Sequence, residues 1–231
     1  MKLSTTQIEQ LYKFTRDHYV EHYDLQTELV DHLANGIEKR WENNPKLSFE
    51  DALNAEFKEF GIFGFSDIIE KHTSAISKRY LKIIFRFMRE YIKLPKIIGT
   101  LCAVSLLFYF IRYVSFSEWV IGFAYFGFFL YLTILTFKEK RKYNTKAKKT
   151  GKRWKLEEMI YNTGYGWFSV LNLFQIMYHL DVLISDNYIV QMLTAMILVF
   201  VMLFTYISVN VLPEKAEELL REAYPEYELS V

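Results

Sequence analysis

The sequence predicts an all-α protein: a small cytoplasmic helical domain followed by a four-helix transmembrane bundle. Three observations predict it. Apolar residues in the first 75 positions recur at helical spacing, as in Leu25, Leu29, Leu33 and Ile37. Four later runs carry no charge: Ile97–Ile111, Trp119–Phe137, Met159–Leu180 and Tyr188–Leu212. The charges themselves are sorted into blocks between those runs, as in a polytopic membrane protein with an aqueous head.

The sorting is strong. Residues 1–75 hold 8 basic and 14 acidic residues, net −6, and residues 76–96 hold 7 and 1, net +6. Residues 138–158 hold 10 and 3, net +7, and the tail 213–231 holds 2 and 6, net −4. The formal net charge of +1 conceals these blocks and says nothing about partners. A single cysteine, Cys102, excludes an intramolecular disulfide. The opening MKLSTTQIEQLYKF lacks the continuous apolar stretch of a cleavable signal peptide, so the membrane segments are expected to supply the targeting.

The head, residues 1–75, reads as three or four short amphipathic helices. The first is expected from Ser4 or Thr5 to about His22, with Ile8, Leu11, Tyr12, Thr15, Tyr19 and His22 along one face. Asp24 is the expected N-cap of a second helix ending near Trp41, before Asn43-Asn44-Pro45. Ser48, with Asp51 three residues on, opens a third helix that buries Phe49, Leu53, Phe57 and Phe60. Gly61 ends it, and Ser66 caps a further short helix.

From residue 76 to 96 the pattern becomes a basic amphipathic juxtamembrane helix, with Lys82, Arg86, Arg89 and Lys93 on one face. Such a helix can lie on an anionic leaflet, so anionic membrane lipids are the partners expected at the basic segments. Four spans follow, at about 97–114, 119–137, 159–180 and 188–212. A basic loop at 138–158 links the two hairpins, and an acidic tail occupies 213–231. One side of the bilayer receives 27 of the 28 Lys and Arg residues; Arg112 is the exception. The positive-inside rule then places both termini and the basic loop in the cytoplasm of a multi-pass inner-membrane protein.

Candidate chemistry is sparse. His18-Tyr-Val-Glu21-His22 matches H-x-x-E-H, in which two histidines on one helical face can hold zinc while the glutamate activates water. The weak metal candidates are therefore His18, Glu21 and His22. A head of about 75 residues is too small for the peptidases that use this pattern, and such residues more often cap helices and pair across helix interfaces than bind metal. Glu28, Asp31 and His32 add a carboxylate–histidine cluster of the same ambiguity. In the third run, Asn172, Gln175 and His179 form a polar intramembrane stripe, read as packing glue toward Gln191, Thr194, Thr205 and Ser208 of the fourth. The basic loop lacks a DNA-reading fold, so nucleic acid is not an expected partner. No catalytic residue and no cofactor are expected.

The head also carries a resemblance. The stretches Glu28–Leu33 (ELVDHL), Ser48–Leu53 (SFEDAL) and Gly61–Ser66 resemble HAAS-type helical signalling domains and the related prefix domains of bacterial permeases. The resemblance covers about residues 15–75; its glycine turn reads GIFGF where the family commonly has G-D-P-E-E. It implies a cytoplasmic helical domain that acts by protein–protein contact without catalytic residues, often encoded beside a PadR-like regulator. The functional expectation is a membrane protein that signals or relays through its head to a protein partner, with self-association a further partner class. The alternatives are an accessory subunit of a membrane transporter and, third, a membrane-embedded enzyme or metal-binding protein.

Overall fold

The computed structural model describes residues 2–113, 118–162 and 185–230, and every regular element among them is helical. Helix α1 (Thr5–Asp17) opens with a capping box: the Ser4 hydroxyl accepts from the Gln7 N–H while Gln7 accepts from the Ser4 N–H. Helix α2 (Tyr23–Asn43) follows after five residues. Helix α3 (Phe49–Lys58) is capped by Ser48, whose hydroxyl accepts from the Asp51 N–H as expected. These three helices and the start of α4 enclose the head core of Leu11, Val20, Leu25, Leu29, Leu33, Ile37, Trp41, Ala52 and Phe65.

The end of α1 differs from expectation, and the cause is local. The Val20 N–H bonds the Thr15 carbonyl and the Tyr19 N–H bonds that of Arg16, which is the Schellman pattern. The left-handed position that this motif requires is filled by Tyr19, at φ 64°, where glycine is usual. The turn drops Val20 into the core, 1% exposed, and leaves Tyr19 in solvent.

Helix α4 (Ser66–Glu90) joins what the sequence divides at residue 75. No glycine or proline interrupts it, so the head's last helix and the basic amphipathic segment form one rod of about 37 Å. Its first turns pack Ile68 and Ile69 on the head core. Its later turns bury Ile76, Ile83, Ile84 and Met88 in a second core.

Among the described residues, two helices are long and apolar enough to cross a bilayer: α5 (Lys96–Tyr113) and the run Tyr188–Glu214. The latter comprises α8 (Tyr188–Tyr206), a π turn at Ile207–Val211 and a last turn that includes Pro213. Val104 on α5 packs against Ala195 and Val199 on α8, while Leu101, Leu106, Met196 and Phe200 project outward, an apolar surface of the kind lipid covers. Gln191, Thr194, Thr205 and Ser208 all lie buried on the inner face of the α8 run. The expected polar stripe of Asn172, Gln175 and His179, with most of the expected third span, lies outside the described residues.

The basic segment is not a loop. Helix α6 (Glu118–Thr150) continues from the expected second span straight through the lysine-rich stretch, about 50 Å in all. Its basic half buries Glu139, Tyr143 and Ala147, spaced by four residues on one face. Gly151, at φ 67°, ends it; a short elbow then leads to α7 (Lys155–Tyr161). The acidic tail is not free either. It forms α9 (Ala216–Ala223) and a 3₁₀ turn, burying Leu219, Leu220, Tyr224 and Tyr227 in the second core.

Candidate functional site

The site of interest is the junction where the head meets the elbow and the tail. Two helix N-termini, those of α2 and α7, face each other there, and each supplies what the other lacks. The first N–H of α2, at Tyr23, donates to the Arg153 carbonyl at 2.6 Å. The first N–H of α7, at Lys155, points at Asp24 Oδ1 at 3.4 Å. Neither helix has a side-chain cap of its own from His22 or Trp154. Orphan amides at a helix start need an acceptor, and each element here provides one to the other.

Asp24 sits inside α2 as its second residue and not as the N-cap. It is 9% exposed. Its Oδ2 accepts the Tyr224 hydroxyl at 2.8 Å and lies 3.6 Å from His72 Nε2. One carboxylate thus ties together α2, α4, α7 and the tail. Its negative charge also lies between the positive ends of two helix dipoles. Burial, and then the charge of Asp24, push the Tyr224 phenol well above its usual range, so Tyr224 acts as a donor.

Ionic contacts surround this centre. His22 Nε2 lies 2.7 Å from Glu158 Oε2, and Lys155 Nζ approaches the same oxygen at 3.1 Å. The His22 contact, opposed by burial and aided by Lys155, holds the Glu158 carboxyl down to about 2. Arg153 Nη1 donates to Glu21 at 3.0 Å. Trp154, 2% exposed, is the apolar pin of the junction: its ring packs on Tyr23 of the head and on Tyr224 and Tyr227 of the tail.

The tail is clamped from two sides. Arg86 makes a two-pronged contact with Glu222, and Arg79 donates to the carbonyls of Glu222 and Ala223, closing the C-terminal end of α9. Arg86, on the basic face expected from the sequence, is thus paired with the tail while its side chain stays half exposed. On α6, Lys146 bonds Glu157 and the Tyr227 hydroxyl. Burial favours the neutral amine, yet these two bonds raise Lys146 and keep it charged.

The H-x-x-E-H residues do not share a helical face. His18 is the C-cap of α1 and bonds the Phe14 carbonyl; Glu21 pairs with Arg153; His22 precedes α2 and pairs with Glu158. Tyr19 breaks the helix between the two histidines. Among the described residues, no group of three or more His, Cys, Asp or Glu converges as metal ligands. Asp31 and His32 are exposed, and of that second cluster only Glu28 reaches the junction, 4.0 Å from His72.

Sequence reasoning missed Asp24, His72, Trp154 and Tyr224 as a group, since their contacts span up to 200 residues. One signal was available: Trp154 stands alone in a run of cations, where a solvated strip has no use for an indole. No family model, curated protein or solved structure matches this chain.

Proposed function

We propose that the chain is a multi-pass inner-membrane protein with both termini in the cytoplasm. In this proposal it works by protein–protein interaction, its head docking on and releasing from the elbow to relay a membrane-side state to a partner. The observation that carries this is the reciprocal capping of α2 and α7 around Asp24. The head has a core of its own, and a seam of ion pairs and hydrogen bonds with one aromatic contact, Tyr23 on Trp154, joins it to the second core. Such a seam can part without exposing a large apolar face, which suits a two-state element. The resemblance of the head to HAAS-type signalling domains points the same way.

Anionic lipid is the proposed input. On α4 and the turn after it, Lys78, Lys82 and Arg89, with Lys93 paired to Glu90, stay exposed beside Leu81, Phe85 and Ile92, next to the first candidate span. Cations flanked by exposed apolar side chains fit the headgroup–acyl boundary, each contributing about 1 kcal/mol near an anionic surface. Because α4 runs unbroken into the head, a change in its seating moves the Asp24 junction.

The test is energy transfer between fluorophores at Lys39→Cys on α2 and Lys140→Cys on α6, both exposed, in a Cys102→Ser background. The expected result is a docked head whose docking shifts when nanodiscs change from phosphatidylcholine to a phosphatidylglycerol mixture. Transfer that never responds to the membrane would remove the relay.

A further inference from the structure

The docked head creates a cleft that neither part has alone. It has a volume of about 550 Å³ and lies between the last turn of α1, the start of α2 and the elbow. Its chemistry is lopsided: Arg16, Lys152 and Arg153 line it against one carboxylate, Glu21. Glu21 is already engaged, 3.0 Å from Arg153 Nη1. Lys152 Nζ rests over the Tyr23 ring, 4.2 Å from its centroid, which holds the ammonium but does not neutralise it. The Arg16 guanidinium makes no hydrogen bond or ion pair among the described residues.

Cations from two separate elements, Arg16 from the head and Lys152 from the elbow, are thus brought to one cleft by docking. An anion held between them is attracted by both charges. A guanidinium fork matches phosphate oxygens two at a time, and an ammonium adds a point charge. The volume falls in the range of small-molecule sites and exceeds what a bare phosphate fills. The phenol of Tyr12 and the ring of Tyr23 supply flat, partly apolar walls for the remainder of such a ligand.

We propose that this cleft is a binding site for a small phosphorylated ligand, soluble or presented as a lipid headgroup, and that the ligand locks the head in its docked position. The site rests on the docking reading above and names the regulator of that same junction.

The test uses the full chain in nanodiscs, with inorganic pyrophosphate as the soluble probe, titrated calorimetrically and followed by head–elbow energy transfer. In pure phosphatidylcholine discs, saturable pyrophosphate binding that raises docking is expected. Arg16→Ala with Lys152→Ala should weaken that binding at least tenfold, while Arg16→Lys with Lys152→Arg should retain most of it. Without any anion, Arg16→Ala alone, which removes no contact across the junction, should dock as well as the wild type; a merely structural role of Arg16 would lower docking. If pyrophosphate has no effect but phosphatidylglycerol promotes docking in the wild type and not in the alanine pair, the ligand is a headgroup and the site stands. A docked head that ignores both anions, or an alanine pair that responds like the wild type, overturns the site and leaves the relay intact. A head that never docks in any disc overturns both.

Discussion

Replacing Asp24 tests the junction at its centre. In Asp24→Ala the Tyr224 hydroxyl loses the carboxylate it meets at 2.8 Å, and the first N–H of α7 loses its facing oxygen. A hydrogen bond to a charged group contributes about 1.5–3 kcal/mol, and a helix N-cap about 1 kcal/mol. The two share one side chain and do not simply add, so about 3 kcal/mol is expected for their joint loss. That lowers the ratio of docked to undocked head roughly 100-fold. Asp24→Asn keeps the shape and one acceptor but loses the charge between two helix dipoles, and about a tenfold loss is expected. Energy transfer between positions 39 and 140 reads both variants, with Asp31→Ala, an exposed site on the same helix, as control. Tyr224→Phe completes a double-mutant cycle with a coupling of about 1.5–3 kcal/mol. Docking in Asp24→Ala equal to the wild type, or additive effects of Asp24 and Tyr224, would refute the assignment.

Other expectations follow from the same contacts. Tyr19→Gly should relieve a left-handed backbone costing about 1–2 kcal/mol, less about 0.5–1 kcal/mol of added chain entropy. Its thermal midpoint should equal or exceed the wild type, whereas glycine inside a continuing helix would lose about 1 kcal/mol. The Glu158 carboxyl is held at about 2 against an ordinary 4.5, so its contribution is complete above pH 4.5 and fades as pH falls toward 2. Solvent screening of a side chain 30% exposed leaves about 1–2 kcal/mol of it, and Glu158→Gln should flatten docking over that window at a lower level. Trp154→Ala should cost about 3–5 kcal/mol and speed proteolysis of the tail beyond Ala223, with Trp154→Phe intermediate.

How far the fold was legible depended on where each signal lay. The head core was readable because Leu25, Leu29, Leu33 and Ile37 keep one spacing, and all four are buried. The end of α1 was not, because its left-handed residue is a tyrosine and the usual glycine is absent; the same substitution made H-x-x-E-H look like one helical face. The basic segment was read as a loop from its charge, although nothing from Lys138 to Thr150 breaks a helix and Glu139, Tyr143 and Ala147 keep helical spacing. Charge density reports solvation and topology, while helix formation depends on backbone breakers and a buried stripe. The break expected near residue 75 followed a change in composition that the backbone of α4 ignores. The junction was hidden for a different reason. Asp24 reads as a local cap, and only the fold brings His72, Lys155 and Tyr224 to it.

Residue-resolved amide exchange at Tyr23 and Lys155 in the full chain tests the reciprocal capping most directly. Both are first amides of helices, which ordinarily exchange fast because no intrahelical carbonyl reaches them. The expected result is marked protection at Tyr23, partial protection at Lys155, and loss of both together in Asp24→Ala. Fast exchange at Tyr23 in the wild type, or protection that survives in Asp24→Ala, would contradict the docking of α2 on α7.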